Sequence, residues 1–270
     1  MPVDMKREDN DAMANIRISN EGRIGFITMD RPPVNALSTE MYGELSDAFR
    51  AVSQREDISV VLLVSSSERC FNAGADVKEL SVLTGSGDSA RDEHRQALAR
   101  TMFDSIRNNR QPVIGVINGP ALGAGAVIAA CCDIRYASDR ATIGMPEINV
   151  GRCGGGRHMM RLLPQGKVRE MYFTGRPIDA QEAYRLGLFE RVVPHGSERS
   201  AAMELAREIA SKSPLALRLA KEAINACEPL PVSEGYALEQ TFTLRLAKSE
   251  DAKEATRAFM EKRPPVWTGR

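Results

Sequence analysis

The sequence predicts an α/β fold with a parallel sheet built by crossovers and a helical C-terminal region. Three observations carry that prediction. Two nearly continuous apolar runs, over 58–64 (I-S-V-V-L-L-V) and 112–118 (P-V-I-G-V-I-N), have the length and β-branching of strands covered on both faces. Amphipathic helical stretches alternate with the strands, as crossover connections require. From Glu198 onward no strand pattern returns. With 270 residues, 43% of them hydrophobic and 27% charged, the chain is long and apolar enough to bury a core without staples.

The elements follow in order. Residues 1–14 include Asp4, Glu8, Asp9 and Asp11, an acidic start unlike a signal peptide or a mitochondrial presequence, and are expected as a flexible tail. Strands over 16–18 and 24–29 flank the turn signal Asn20-Glu21-Gly22. Ser38 caps a helix over 39–55, with Met41, Leu45, Phe49 and Val52 on one face. The 58–64 strand leads into a long loop over 65–76. A flexible stretch follows around Thr84-Gly85-Ser86-Gly87-Asp88-Ser89, then a polar helix over 89–108. After the 112–118 strand, 119–125 is small and turn-like and 126–132 is a helix of small residues. Short strands are expected over 133–137 and 141–145. A glycine run, 154–156, precedes a helical patch to Leu163. A short helix starts at Asp179, a final strand covers 189–193, and helices cover 199–212, 214–226, 233–247 and 250–261.

Composition excludes several classes. Lys+Arg and Asp+Glu are both 36, so no net basic field exists to hold nucleic acid or a membrane surface, and aromatics are only 5%. No apolar run reaches the roughly 18 residues of a membrane span. Five irregularly spaced cysteines and three histidines make a poor zinc set. The thiols read as reduced and the compartment as cytoplasmic. Neither G-x-G-x-x-G nor a Walker loop occurs, and G-x-S-x-G is absent.

The candidate chemistry lies at the C-terminal ends of strands, where α/β proteins place their sites. The loops Phe71-Asn72-Ala73-Gly74-Ala75-Asp76 and Asn118-Gly119-Pro120-Ala121-Leu122-Gly123-Ala124-Gly125 are built of small residues. Such loops either pack strand tightly against helix or present backbone N–H groups to a developing oxyanion. Glu147, beyond the 141–145 strand and beside Ile148 and Val150, is either a partly buried proton carrier with a raised pKa or a first-turn carboxylate facing a helix dipole. Cys153 and His158 could react, although a surface histidine at a helix start is the plainer account. Arg152, Arg157 and Arg161 suit a phosphate, solvent or a subunit contact. Asp133 reads as structural. Lys262-Arg263 either completes a helix C-terminus or meets phosphate.

Together these pieces resemble the enoyl-CoA hydratase/isomerase (crotonase) superfamily. The matching segments are Arg31-Pro32 with Asn35-Ala36-Leu37, F-N-A-G-A-D-V-K-E-L from Phe71, Pro112 to Gly125, and C-D-I-R-Y-A from Cys132. They continue with Pro146-Glu147-Ile148 and Gly151, F-T-G-R from Phe173 with Ala183 and Gly187-Leu188, and F-M-E-K-R from Phe259. They run in the family's order over about 15–268.

The resemblance implies a β-β-α spiral core over 15–195 and a helical oligomerisation and lid region over 196–270. It implies a homotrimer or dimer of trimers, an acyl-CoA thioester as substrate, and no metal or redox cofactor, coenzyme A being part of the substrate. The thioester oxygen would sit between the N–H groups of Ala75 and Ala124, with Glu147 moving the proton. Ala73, Asp76, Val77, Lys78, Leu122, Gly123, Gly155, Phe242 and Lys262 would line the acyl-CoA. The C-terminal helices, with Leu215, Leu219, Ala223, Phe242, Leu246 and Phe259, carry more apolar positions than a lone extension needs.

One departure shapes the expected activity. Typical hydratases of the family have a second glutamate where this chain has Val127, and the dienoyl isomerases add an acid where this chain has Gly155. A single-glutamate site favours double-bond isomerisation over syn hydration. The alternatives are a hydratase in which Cys153 or His158 substitutes for the second glutamate, a thioester hydrolase or decarboxylase, and a non-catalytic acyl-CoA-binding homologue.

Overall fold

The computed structural model describes residues 15–270. The expected N-terminal tail, 1–14, lies outside that range. The chain opens with the hairpin β1 (Ile16–Glu21) and β2 (Ile24–Met29), followed by α1 (Thr39–Ser53), β3 (Val60–Ser65), α2 (Val77–Ser86) and α3 (Ser89–Arg107). Next come β4 (Val113–Ile117), β5 (Ala121–Leu122), α4 (Ala124–Cys131), β6 (Ile134–Ser138) and β7 (Thr142–Gly144). A 3-10 turn, Pro146–Val150, leads to α5 (Gly156–Met159), α6 (Gln165–Thr174), β8 (Ile178–Asp179), α7 (Ala180–Arg185) and β9 (Arg191–Val193). Four helices finish the chain: α8 (Glu198–Ala210), α9 (Pro214–Cys227), α10 (Val232–Ala247) and α11 (Glu250–Glu261).

Six strands form one sheet in the order β1-β2-β3-β4-β6-β9, antiparallel at the β1–β2 hairpin and parallel elsewhere. A smaller sheet, β5-β7-β8, stands beside it. After β3, two passes of the chain each place a strand in the large sheet and another in the small one: β4 then β5, β6 then β7. The last pass reverses the order, β8 then β9.

The two-faced burial predicted for the 58–64 run has a specific cause. Val61 and Leu63 point into the main core, against α1, α3 and α4. Val60, Leu62 and Val64 point the other way, into a second cluster with Ile114, Val116 and the Ala202, Met203 and Ala206 stripe of α8. Both faces are therefore dry, and period-two alternation of polar residues vanishes.

Two expectations need correction. The stretch around 84–89 is not open: α2 runs to Ser86, Gly87 turns with φ +65°, and Asp88 caps α3 by accepting from Arg91 N–H (3.0 Å). Helix α2 has little apolar periodicity because only Leu83 is buried in it. The final strand also begins at Arg191 rather than 189, since Leu188 and Phe189 are buried in the core without joining the sheet.

Candidate active site

The two small-residue loops meet because Asn72 binds to both. Its Nδ2 donates to Asn35 O (2.7 Å), and its Oδ1 accepts from Gly74 N–H (2.8 Å). Its backbone pairs with the other loop, N–H to Pro120 O (3.2 Å) and C=O from Leu122 N–H (3.0 Å). The fit leaves no room for side chains. A Cβ on Gly74 would stand 2.7 Å from Leu122 O and 3.4 Å from Ala124 N, and one on Gly125 would overlap the Asn72 carbonyl.

This packing leaves the N–H groups of Ala75 and Ala124 without partners among the described residues. Ala75 bridges to Leu37, but the bonds are made by its neighbours: Leu37 N–H to Gly74 O (2.7 Å) and Asp76 N–H to Leu37 O (2.9 Å). The Ala75 N–H faces the opposite side of that bridge and donates to no described residue. Ala124 is the first residue of α4, which has no side-chain cap, and its N–H likewise donates to no described residue. A helix's first N–H groups have no intrahelical acceptor and carry partial positive charge. Packing and N–H presentation are thus one geometry, so the two accounts of these loops do not compete.

Glu147 reaches the same place from the 3-10 turn after β7. Its Oε1 lies 2.8 Å from where a Cβ on Gly123 would stand, and its Oε2 is buried with no hydrogen-bond partner among the described residues. Burial raises its pKa above the ordinary carboxyl range, opposed by a smaller backbone hydrogen bond. One helical turn past Gly123, Val127 is 2% exposed and closes against Gly155, whose absent Cβ leaves room for the Val127 methyl and, 2.8 Å away, Met145 Cε. Hydrocarbon from Val127 and Met145 therefore fills the space beside Gly155.

The remaining candidates divide. Ala73, Leu122 and Gly123 sit within the packed loops. Asp76 lies beside them, but its carboxylate accepts from Arg31 (2.8 Å) and caps α2 through Lys78 N–H (2.9 Å). Val77 and Lys78 are exposed at the start of α2. Phe242 lies half-buried on α10 under the Arg245 guanidinium, and Lys262 ends α11 with φ +53°; neither shares a hydrogen bond or ion pair with the residues around Glu147. His158 is not a surface residue: it is half-buried, 5.4 Å from the Phe103 ring, and its pKa is lowered by burial and then by Arg161. Cys153 is exposed. Arg161 pairs with Glu228 (2.5 Å) and Arg152 with Asp92 (2.7 Å), and Asp133 holds Val113 N–H (2.6 Å) and Lys221 (2.7 Å).

Sequence reasoning missed the positioning role of Asn72, legible only as a buried loop amide. It also missed Tyr42 and Arg95, which are buried together. Tyr172 was missed as well: its hydroxyl accepts from Gly154 N–H, with Cys153 and Glu147 in its surroundings.

The fold and this geometry define a class of protein, and comparison with known proteins makes it specific. The family model described as enoyl-CoA hydratase/isomerase matches residues 19–270, and the chain belongs to that family. It is 36% identical over 251 residues to a probable mitochondrial enoyl-CoA hydratase of Dictyostelium discoideum, covering 92% of this chain and 88% of the relative. An indene-carboxyl-CoA hydrolase of Rhodococcus jostii (strain RHA1) is 35% identical over 242 residues, covering 90% of this chain and 92% of the relative. The crystal structure of an enoyl-CoA hydratase from Bacillus anthracis superposes with a TM-score of 0.90 at 33% identity, covering 95% of this chain and all of that one. The chain is thus a crotonase-fold enzyme of the acyl-CoA class, and its relatives include hydratases and a hydrolase.

Proposed function

We propose that this enzyme shifts a double bond in an enoyl-CoA, using one carboxylate and two backbone donors. The free N–H groups of Ala75 and Ala124 hold the thioester oxygen as it gains charge, and Glu147 takes a proton from one carbon and returns it to another. Preorganised donors of this kind stabilise an enolate by about 3–4 kcal/mol each. A carboxyl with a raised pKa is suited to both halves of the transfer near neutral pH. The observation that supports a preference for isomerisation is that Val127 and Gly155, which touch, bring no carboxylate. Ala73, Asp76, Val77, Lys78, Leu122 and Gly123 border the path for the CoA portion, Gly155 bounds the acyl end, and Phe242 and Lys262 act at a subunit boundary.

A second reading is hydration of a 2-enoyl-CoA. It is favoured by the names of several relatives and by Tyr172, whose surroundings include both Cys153 and Glu147. Turnover of a 3-enoyl-CoA measured against crotonyl-CoA separates the two. Isomerisation faster by tenfold or more supports the first, and crotonyl-CoA hydration at about 10 s⁻¹ or above supports the second. Val127→Glu is expected to raise the hydration-to-isomerisation ratio while lowering stability, since it buries an acid among apolar atoms.

We also read the chain as a homotrimer or dimer of trimers. Leu219 and Ala223, part of the apolar set expected to face a partner, are instead buried within the chain. The support comes from Val232 (89% exposed), Tyr236, Leu244, Phe259 (84%) and Met260 on α10 and α11. Five free cysteines fit a reducing, cytoplasmic compartment, and no described helix is long and apolar enough to cross a membrane.

A further inference from the structure

Arg152 links the turn that carries Glu147 to the helix that follows Ala75. Its N–H donates to Glu147 O (3.0 Å). Its guanidinium reaches across to two other helices, donating from Nη1 to Asp92 Oδ2 on α3 (2.7 Å) and from Nη2 to Thr84 Oγ1 on α2 (2.9 Å). Asp92 is itself held: its Oδ1 accepts from Arg95 Nε (3.1 Å) and Nη2 (2.8 Å), and Arg95 is 6% exposed beside the Tyr42 hydroxyl of α1.

Helix α2 depends on polar attachments of this kind. It buries only Leu83, and its other polar ties are Asp76, which caps it and accepts from Arg31 (2.8 Å), and Glu79, which accepts from Thr39 N–H and Oγ1 (2.8 Å each). The helix starts two residues after Ala75. The Arg152 side chain is about three-quarters buried, so its charge-assisted bonds are screened less than those of a surface pair.

We propose that Arg152 is a positioning residue, which clasps the Glu147 turn to α2 and α3 and thereby fixes the proton carrier relative to the Ala75 donor. This rests on the roles given above to Glu147 and Ala75. A displacement of about 1 Å between reacting groups lowers a rate on the order of 10²-fold. A planar fork serves two acceptors at once, which a lysine ammonium reproduces only in part.

The test uses the full chain with Arg152→Met and Arg152→Lys, read by amide hydrogen exchange, CoA affinity and turnover of the better of the two enoyl-CoA substrates. For Arg152→Met, exchange is expected to quicken in 77–86 and 146–151 together while the sheet stays protected. The expected kcat falls about 10–100-fold with CoA affinity within about threefold, and Arg152→Lys lies between. Wild-type kcat and exchange in Arg152→Met would overturn the proposal. So would faster exchange throughout the chain with Arg152→Lys no better than Arg152→Met, which marks a structural role. Failure of the underlying reading shows separately, as full turnover by Glu147→Gln, whereas the exchange measurement reports the clasp whatever the reaction.

Discussion

Helices α2 and α4 both begin at or next to a candidate oxyanion donor, yet they are built in opposite ways. Every residue of α4 from Gly125 to Cys131 is buried, and no charged side chain occurs in it. Helix α2 buries Leu83 alone and is tied down by Asp76, Glu79 and Arg152. The Ala124 candidate thus opens a core helix, whereas the Ala75 candidate lies in a packed loop two residues before a surface helix held by polar ties.

That contrast can be broken or sharpened by substitution. The largest effect is expected where the carboxylate meets the start of α4. Glu147→Gln keeps the shape but cannot accept a proton, so kcat should fall about 10²–10⁴-fold with CoA binding nearly unchanged, as steady-state kinetics and calorimetry would show. The same glycine-to-alanine change should then have opposite signs in the two helices. In α4, Gly125→Ala drives a methyl into the Asn72 carbonyl, so a loss of about 3 kcal/mol and of turnover is expected. In α2, Gly85 has nothing within 4 Å of an added Cβ, so Gly85→Ala should stabilise by about 0.5–1 kcal/mol. Melting curves compare them directly; equal effects would erase the distinction.

The smallest effect is on pH. Burial raises the folded-state pKa of Glu147, so the fold favours the protonated carboxyl. Its ionisation therefore weakens the protein as pH rises from the ordinary carboxyl range through the raised value. Glu147→Gln should melt higher than wild type near pH 8, with the gain disappearing below about pH 4. With Glu147 as base, kcat/KM should likewise rise with pH through a value above the usual carboxyl range.

How much of this was legible in the sequence follows the same division. Helix α4 and strands β3 and β4 could be read because apolar runs and small residues report burial directly. Helix α2 could not, because Asp76, Glu79 and Thr84 act through partners 45, 40 and 68 residues away. Glu147 was marked by its place after a strand with two readings open, and the structure shows features of both: it is half-buried, and it stands in the first turn of the 3-10 segment. Gly123, whose missing Cβ admits the Glu147 carboxylate, lay in a loop marked by its small residues, whereas Val127 drew notice only through a family pattern. Asn72 illustrates the limit: an asparagine in a turn-like loop reads as a turn former, and only the fold brings Asn35, Pro120 and Leu122 to it.

The stripe of Ala202, Met203 and Ala206 has a consequence for how the chain is made. It covers a sheet face whose strands begin some 180 residues earlier. Until α8 has left the ribosome, Phe26, Leu62 and Ile114 face water as a continuous oily strip. A nascent or truncated chain ending near 195 would leave that strip uncovered, a form prone to chaperone capture and aggregation. Folding to completion is therefore a late event in synthesis, slowed by a long loop closure.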